Sequence, residues 1–233
     1  MITIKIADLA IGIDNRYDHI AMQAHEYMTD EEPVFTVKVT DEDIEAEKAL
    51  SLEEFSTPYY ESIAAYRKIA EILPSYDAFL FHGAVLELDG KAYIITANSG
   101  VGKTTHVRLW LSKFKDEVEI LNGDKPTLRF INGVPYASGT PWRGKEGYGK
   151  NSMKPIAGIA FLSRGEENKA YTVKPSDAVV RFVSQVYMPK KSPDMLVKTL
   201  SLSNKLLNSV RLVHLECNMN LEAAEVCRKA LTE

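Results

Sequence analysis

The chain has 233 residues, 45% of them hydrophobic and 26% charged, with a net charge of −4. This composition fits one large or two small globular domains and excludes a disordered or fibrous chain. The acidic balance gives no basis for bulk nucleic-acid binding, and no apolar run approaches the roughly 20 residues that span a bilayer.

Ile2, Ile4 and Ile6 alternate with Thr3 and Lys5, which predicts a half-buried strand rather than the basic-then-apolar build of a signal peptide. A helix is predicted over 17–28 and a second alternating strand over 34–39. Residues 41–54 hold seven acidic side chains, read as one or two short exposed helices or a loop with a solvated acidic face. Ser51-Leu-Glu-Glu54 has the capping-box spacing, and Thr57-Pro58 suits an N-cap followed by proline. Tyr59, Ile63, Tyr66, Ala70 and Leu73 then fall on one helical face, read as core. His19 and His25 are six apart, not a same-face metal pair, and both read as structural or solvated. This third carries no catalytic motif.

Residues 78–88 and 91–96 read as strands joined by an Asp89-Gly90 hairpin turn. His82-Gly83 interrupts the first, and a glycine there marks a bulge or a close backbone approach. An isolated strand histidine is usually structural.

Ala97-Asn98-Ser99-Gly100-Val101-Gly102-Lys103-Thr104-Thr105 follows the second strand and opens a helix. Strand, glycine turn, Gly-Lys-Thr and helix form the context of a phosphate-binding P-loop, with Ala97 where glycine is usual. Backbone N–H groups and the helix dipole favour an anion there. Asn98, Ser99, Gly100, Val101, Gly102, Lys103, Thr104 and Thr105 are the candidate nucleotide-binding residues. Lys103 suits the β/γ-phosphates, and Thr104 offers a hydroxyl to Mg²⁺.

Residues 118–122 read as a short strand that leads to Asp124, roughly 20 residues beyond Lys103. A carboxylate so placed suits Mg²⁺ or the proton of an attacking hydroxyl. Four glycines between 139 and 149 predict a mobile loop carrying Arg143, Lys145 and Lys150, with Lys154 just beyond. Cations on such a loop can neutralise a transferring phosphoryl group; a plain basic surface loop is the other reading. Residues 156–162 and 210–217 read as strands, and 177–188, 195–208 and 221–231 as helices. Trp110 reads as packing, and Trp142 is notable for its place in the loop. His106 reads equally as near a nucleotide or exposed. Cys217 and Cys227 form no disulfide framework and read as thiols of a cytoplasmic protein.

Phe81-His-Gly-Ala84, Asn98–Thr105, Leu121-Asn-Gly-Asp-Lys-Pro126 and Thr140-Pro-Trp-Arg-Gly-Lys-Glu146 occur in this order. With Asn151, Pro155 and Phe161–Asn168 they resemble bacterial relatives of HPr kinase/phosphorylase, a superfamily that shares a P-loop fold with phosphoenolpyruvate carboxykinase. The resemblance covers about 76–233. It implies an α/β core with α+β character, a mixed sheet flanked by helices, preceded by an α+β extension over 1–75 that is a candidate for substrate recognition. It implies an ATP- and Mg²⁺-dependent kinase whose acceptor is a Ser or Thr of a small protein or peptide. It assigns catalytic roles to Asp124, Lys103, His82, Arg143 and Lys145, and metal binding to Thr104 and Asp124. The family often has paired acidic residues where Gly123-Asp124 stands, so both carboxylate roles fall on Asp124. Its HPr-gripping signature is not found here. A small-metabolite kinase and a nucleotide-binding regulatory module remain open alternatives, as does a homo-oligomer.

Overall fold

Two β-sheets organise the chain. A computed structural model describes residues 1–233. The first sheet holds β1 (Ile2–Ile6), β2 (Leu9–Asp14) and β3 (Phe35–Lys38), with β1–β2 antiparallel and β2–β3 parallel. The sequence reading omits β2, whose uninterrupted apolar run gives no alternation. Its turn, Ala7-Asp8, has φ of 50° and 59° without a glycine to announce it. Arg129 Nη1 donates to the carbonyls of Ala7 and Asp8, and the Ala7 N–H donates to Ser138 Oγ. Tertiary contacts thus hold a conformation that local chemistry disfavours.

Three helices cover this sheet: α1 (Asp18–Gln23), α2 (Asp41–Leu50) and α3 (Thr57–Ile72). The predicted helix over 17–28 ends early, followed by one 3₁₀ turn at His25–Tyr27. The capping box belongs to Thr40 and Asp43, not to Ser51, which closes α2 and donates to the Glu53 carbonyl. The N-cap of α3 is Ser56, one residue before the expected Thr57. Nor is the acidic run wholly solvated: Glu47 and Asp43 pair with Arg67 and Lys68 of α3, at 2.5 and 2.7 Å.

The second sheet runs β4 (Ala78–Leu80), β8 (Thr127–Ile131), β9 (Val134–Ser138), β10 (Met153–Arg164), β6 (Lys91–Thr96), β5 (Ala84–Leu88), β7 (Val118–Asn122). β12 (Arg211–Cys217) joins β10, and β11 (Lys169–Thr172) joins β12. The stretch read as one strand over 78–88 is two, pairing with different partners, and His82-Gly83 is the break. Asp89 and Gly90 have φ of 52° and 72°, as a primed hairpin turn requires. β10 changes partners along its length: residues 153–155 pair antiparallel with β9, and from Ile156 onward it runs parallel to β6 and β12. The result is a mixed α/β fold whose sheet is flanked by α4 (Lys103–Phe114), α5 (Pro175–Val183), α6 (Pro193–Leu207) and α7 (Glu222–Thr232). No helix is long and apolar enough to cross a membrane.

α4 packs His106, Val107, Trp110 and Phe114 inward. His106 is therefore neither exposed nor in the cleft. It is 2% exposed, and its Nε2 accepts a hydrogen bond from Trp110 Nε1 at 3.0 Å. Its Nδ1 has no partner, and burial pushes its pKa down to about 4. Between pH 6.5 and 4 the unfolded chain binds a proton that the folded chain refuses, so stability falls as pH falls through that window. Up to about 3 kcal/mol of acid-linked loss follows from such a shift. Urea unfolding of His106→Leu is expected to show a correspondingly flatter pH dependence than wild type between pH 6.5 and 4; equal slopes would remove His106 as the cause.

Candidate active site

The phosphate turn is built by the strand–turn–helix sequence itself. β6 delivers Ala97, the chain turns through Gly100 (φ 78°) and Gly102 (φ 124°), and Lys103 is the first residue of α4. Both glycine conformations are strained for any other residue. Arg164, at the end of β10, fastens the turn from outside, its guanidinium donating to the carbonyls of Gly100 and Val101. The Val101 N–H donates back to the Asn98 carbonyl, closing the turn, and the start of α4 favours an anion.

Opposite stands Asp124, positioned by backbone bonding. The N–H of Gly83 donates to the Asp124 carbonyl and that of Phe81 to the Pro126 carbonyl, at 3.0 and 3.1 Å. This brings His82 against Asp124. Gly83 is required here, because a Cβ would stand 2.7 Å from the Phe81 ring and 3.2 Å from the Ile95 carbonyl. Asn122, fully buried, accepts from the N–H groups of Asp124 and Lys125 and donates through Nδ2 to Thr140 and to the Trp142 carbonyl. One amide thus fixes both the carboxylate's backbone and the root of the glycine loop.

Lys103 Nζ lies 2.8 Å from His82 Nε2 and 3.8 Å from Asp124 Oδ1. Lys125 Nζ contacts Asp124 Oδ2, and His82 Nε2 is 3.2 Å from Oδ1. The histidine's tautomer follows from Gln185. Its Nε2 donates to Asn98 Oδ1 and Ser184 Oγ, so its Oε1 faces His82 Nδ1, which must carry the hydrogen. His82 Nε2 is then free to accept from Lys103; a second ring proton would instead be donated to Asp124. Burial pulls the Asp124 carboxyl up, but the hydrogen bond that His82 donates when its ring carries both protons, together with the Lys125 and Lys103 charges, outweighs it. The carboxyl therefore lies well below the ordinary carboxylate range. Burial lowers the Lys103 pKa, partly offset by Asp124.

These groups line a cleft of about 910 Å³ with Asn98, Ser99, Gly100, Thr104, Arg143 and Lys145. Val101, Gly102 and Thr105 support the turn without lining the cleft. The glycine loop is anchored rather than loose at both ends: Thr140 Oγ1 donates to the Lys125 carbonyl, and the Gly123 N–H to the Tyr148 carbonyl. Its tip crosses Asp124 at Gly144 (φ 72°), where a Cβ would meet the aspartate's Cβ at 2.8 Å. The expected cluster of loop cations is dispersed. Arg143 pairs with Glu26 and lies over Tyr27, while Lys150 and Lys154 pair with Glu87 outside the cleft. Lys145, exposed at the tip, lines the cleft and pairs with no carboxylate.

Gln185, Asn122, Arg164 and Lys125 contact the candidate site and are not singled out by the sequence. The last three lie inside its motifs; Gln185 carries no local signal. The far wall was also missed: His19, Gln23, Phe55, Tyr59 and Ile63 face the cleft, although the α3 face was read as core.

Thr104 and Asp124 supply hard oxygen donors, and no cluster of three or more His, Cys, Asp or Glu offers a protein-only metal cage. That donor set fits Mg²⁺, which is commonly held by one or two carboxylates together with substrate phosphates.

No family model and no curated protein matches the chain. Among solved structures, the Hpr(Ser) kinase/phosphatase from Coxiella burnetii is similar over 55% of this chain and 90% of that one, at 14% identity and a TM-score of 0.30.

Proposed function

We propose that the protein is an ATP- and Mg²⁺-dependent kinase that transfers the γ-phosphoryl group to a Ser or Thr hydroxyl of a small protein or peptide. The observation that carries this reading is the convergence of Lys103, His82 and Asp124 within 4 Å at the mouth of a glycine-bearing helix N-terminus. The turn's N–H groups and Lys103 bind the phosphates. Thr104 and Asp124 would hold Mg²⁺, which when bound neutralises charge on the β- and γ-oxygens.

The acceptor oxygen attacks the γ-phosphorus, the bond to the β,γ-bridging oxygen breaks, and ADP leaves with that electron pair. Asp124 accepts the hydroxyl's hydrogen bond and then its proton. Its depressed pKa makes it a weak base, which suits a loose transition state that needs orientation before proton removal. Lys145, at the loop tip in the cleft lining, would offset charge on the phosphoryl oxygens.

The test is incubation with labelled ATP, Mg²⁺ and size-fractionated cell extract, comparing wild type with Lys103→Ala. Lys103-dependent label on a polypeptide is expected. Label on a small molecule would replace the acceptor class, and nucleotide binding without Lys103-dependent transfer would leave a regulatory module.

A further inference from the structure

Gln185 follows the end of α5, 103 residues from the histidine it meets. Its backbone is fixed from two sides. The His82 N–H donates to the Gln185 carbonyl at 2.7 Å and the Tyr187 N–H to the Leu80 carbonyl at 3.0 Å, so residues 185–187 run beside 80–82 as a short antiparallel ladder. Just beyond, Glu71 of α3 accepts the N–H groups of Lys190 and Lys191. The polarity of the side chain is fixed as well. Ser184 Oγ donates its one hydrogen to the Arg181 carbonyl at 2.8 Å, so toward Gln185 it can only accept. The amide nitrogen therefore faces Ser184 and Asn98, and the amide oxygen faces His82 Nδ1 at 2.9 Å. The far side of the ring agrees independently: the Lys103 ammonium lies 2.8 Å from Nε2, where a second donor would be repelled.

We propose that Gln185 is a positioning residue for the transfer reaction: by keeping the hydrogen on His82 Nδ1, it leaves Nε2 as an acceptor that holds Lys103 and leaves Asp124 free of the histidine. The inference rests on the kinase reading and deepens it. The two tautomers make two different sites. With the hydrogen on Nδ1, His82 Nε2 and Asp124 Oδ1 are two acceptors 3.2 Å apart, a pair that needs a shared donor. Lys103 is that donor, at 2.8 and 3.8 Å, and its ammonium is held between them. The carboxylate then keeps lone pairs for the acceptor hydroxyl. With the hydrogen on Nε2, the ring would donate to Asp124 Oδ1 across the same 3.2 Å, the proton acceptor would be occupied, and Lys103 would face a donor. The Gln185 oxygen is the contact at Nδ1 that separates the two states. The same amide donates to Asn98 Oδ1 at 3.3 Å, which ties the orientation of the ring to the phosphate turn.

Long-range ¹H–¹⁵N correlation spectra of ¹⁵N-histidine-labelled protein read which ring nitrogen carries the hydrogen, and the His82 signal is the one lost in His82→Gln. At mildly alkaline pH the wild type is expected to show His82 with its hydrogen on Nδ1. Gln185→Leu, which has no acceptor, is expected to move the hydrogen to Nε2; Gln185→Glu, which keeps an acceptor in the same place, is expected to retain it on Nδ1. The signal of the buried His106, unchanged in both variants, reports an intact fold. In the labelled-ATP assay with cell extract at saturating nucleotide, Gln185→Leu is expected to slow Lys103-dependent transfer by roughly 10–100-fold, the scale on which partners that fix a histidine's tautomer act. A hydrogen on Nε2 in the wild type, a hydrogen that stays on Nδ1 in Gln185→Leu, or a wild-type rate in that variant would each overturn the inference. Failure of the kinase reading shows separately, as absence of Lys103-dependent label with the wild-type ring-nitrogen signature, and its change in Gln185→Leu, both intact.

Discussion

Asp124→Asn is expected to lower phosphoryl transfer by roughly 10²–10⁴-fold while leaving the affinity for metal-free nucleotide at neutral pH close to wild type. The amide keeps the shape and can still meet the acceptor hydroxyl, but it cannot take the proton. Metal-free phosphate binding survives because the backbone of the glycine turn and the start of α4 are built independently of the carboxylate. The substitution also removes the one negative charge that faces Lys103, His82 and Lys125. Burial already lowers the Lys103 pKa and Asp124 partly restores it; without the carboxylate it falls further. The ammonium, and with it the affinity for a triphosphate, should therefore be lost at a lower pH in the variant as pH rises. Single-turnover rates and nucleotide titrations across pH separate the two effects. Transfer within about ten-fold of wild type would show that Asp124 is not the proton acceptor.

The second large effect is on stability. Trp142→Ala is expected to cost about 3–5 kcal/mol, read by urea unfolding. Although it lies in a glycine-rich loop, Trp142 is 3% exposed and belongs to the hydrophobic cluster of the first sheet and α3. Its Nε1 donates to the Ser62 carbonyl and hydroxyl. Trp142→Phe keeps the packing on Tyr66 and forfeits those hydrogen bonds, for about 1 kcal/mol. A loss below about 1 kcal/mol for the alanine variant would mean that the loop does not fasten the N-terminal elements.

What was legible in the sequence is what local chemistry specifies. The P-loop strand and helix, the Asp89-Gly90 turn and the strand leading to Asp124 each carry their own signal within a few residues. β2 carries none, because Arg129 and Ser138, more than 120 residues away, hold its turn. The β8–β9 hairpin and β11 were likewise missed. At the site, spacing from Lys103 was enough to single out Asp124. Spacing could not reveal that Lys150 and Lys154 turn toward Glu87, or that Gln185 orients His82, since those depend on where β5 and α5 lie in space. On the α3 face Tyr66, Ala70 and Leu73 are core as read and Ile63 packs against them, while Tyr59 at the helix start is left open to the cleft: helical periodicity shows which residues share a side, not how far along it the cover extends.

The divided pairing of β10 has a consequence for how this chain can vary in length. Its first residues are registered against the strand that leads into the glycine loop, and its later ones against the strand that leads into the phosphate turn. A single-residue insertion or deletion within it would turn every following side chain to the opposite face. Phe161 would then be forced into the layer now filled by Ala160 and Leu162, and Arg164 would lose the carbonyls of Gly100 and Val101. The Asn132-Gly133 turn between β8 and β9, exposed and remote from the cleft, can absorb such a change. Length variation among chains built on this plan should accumulate at such turns and be purged from β10.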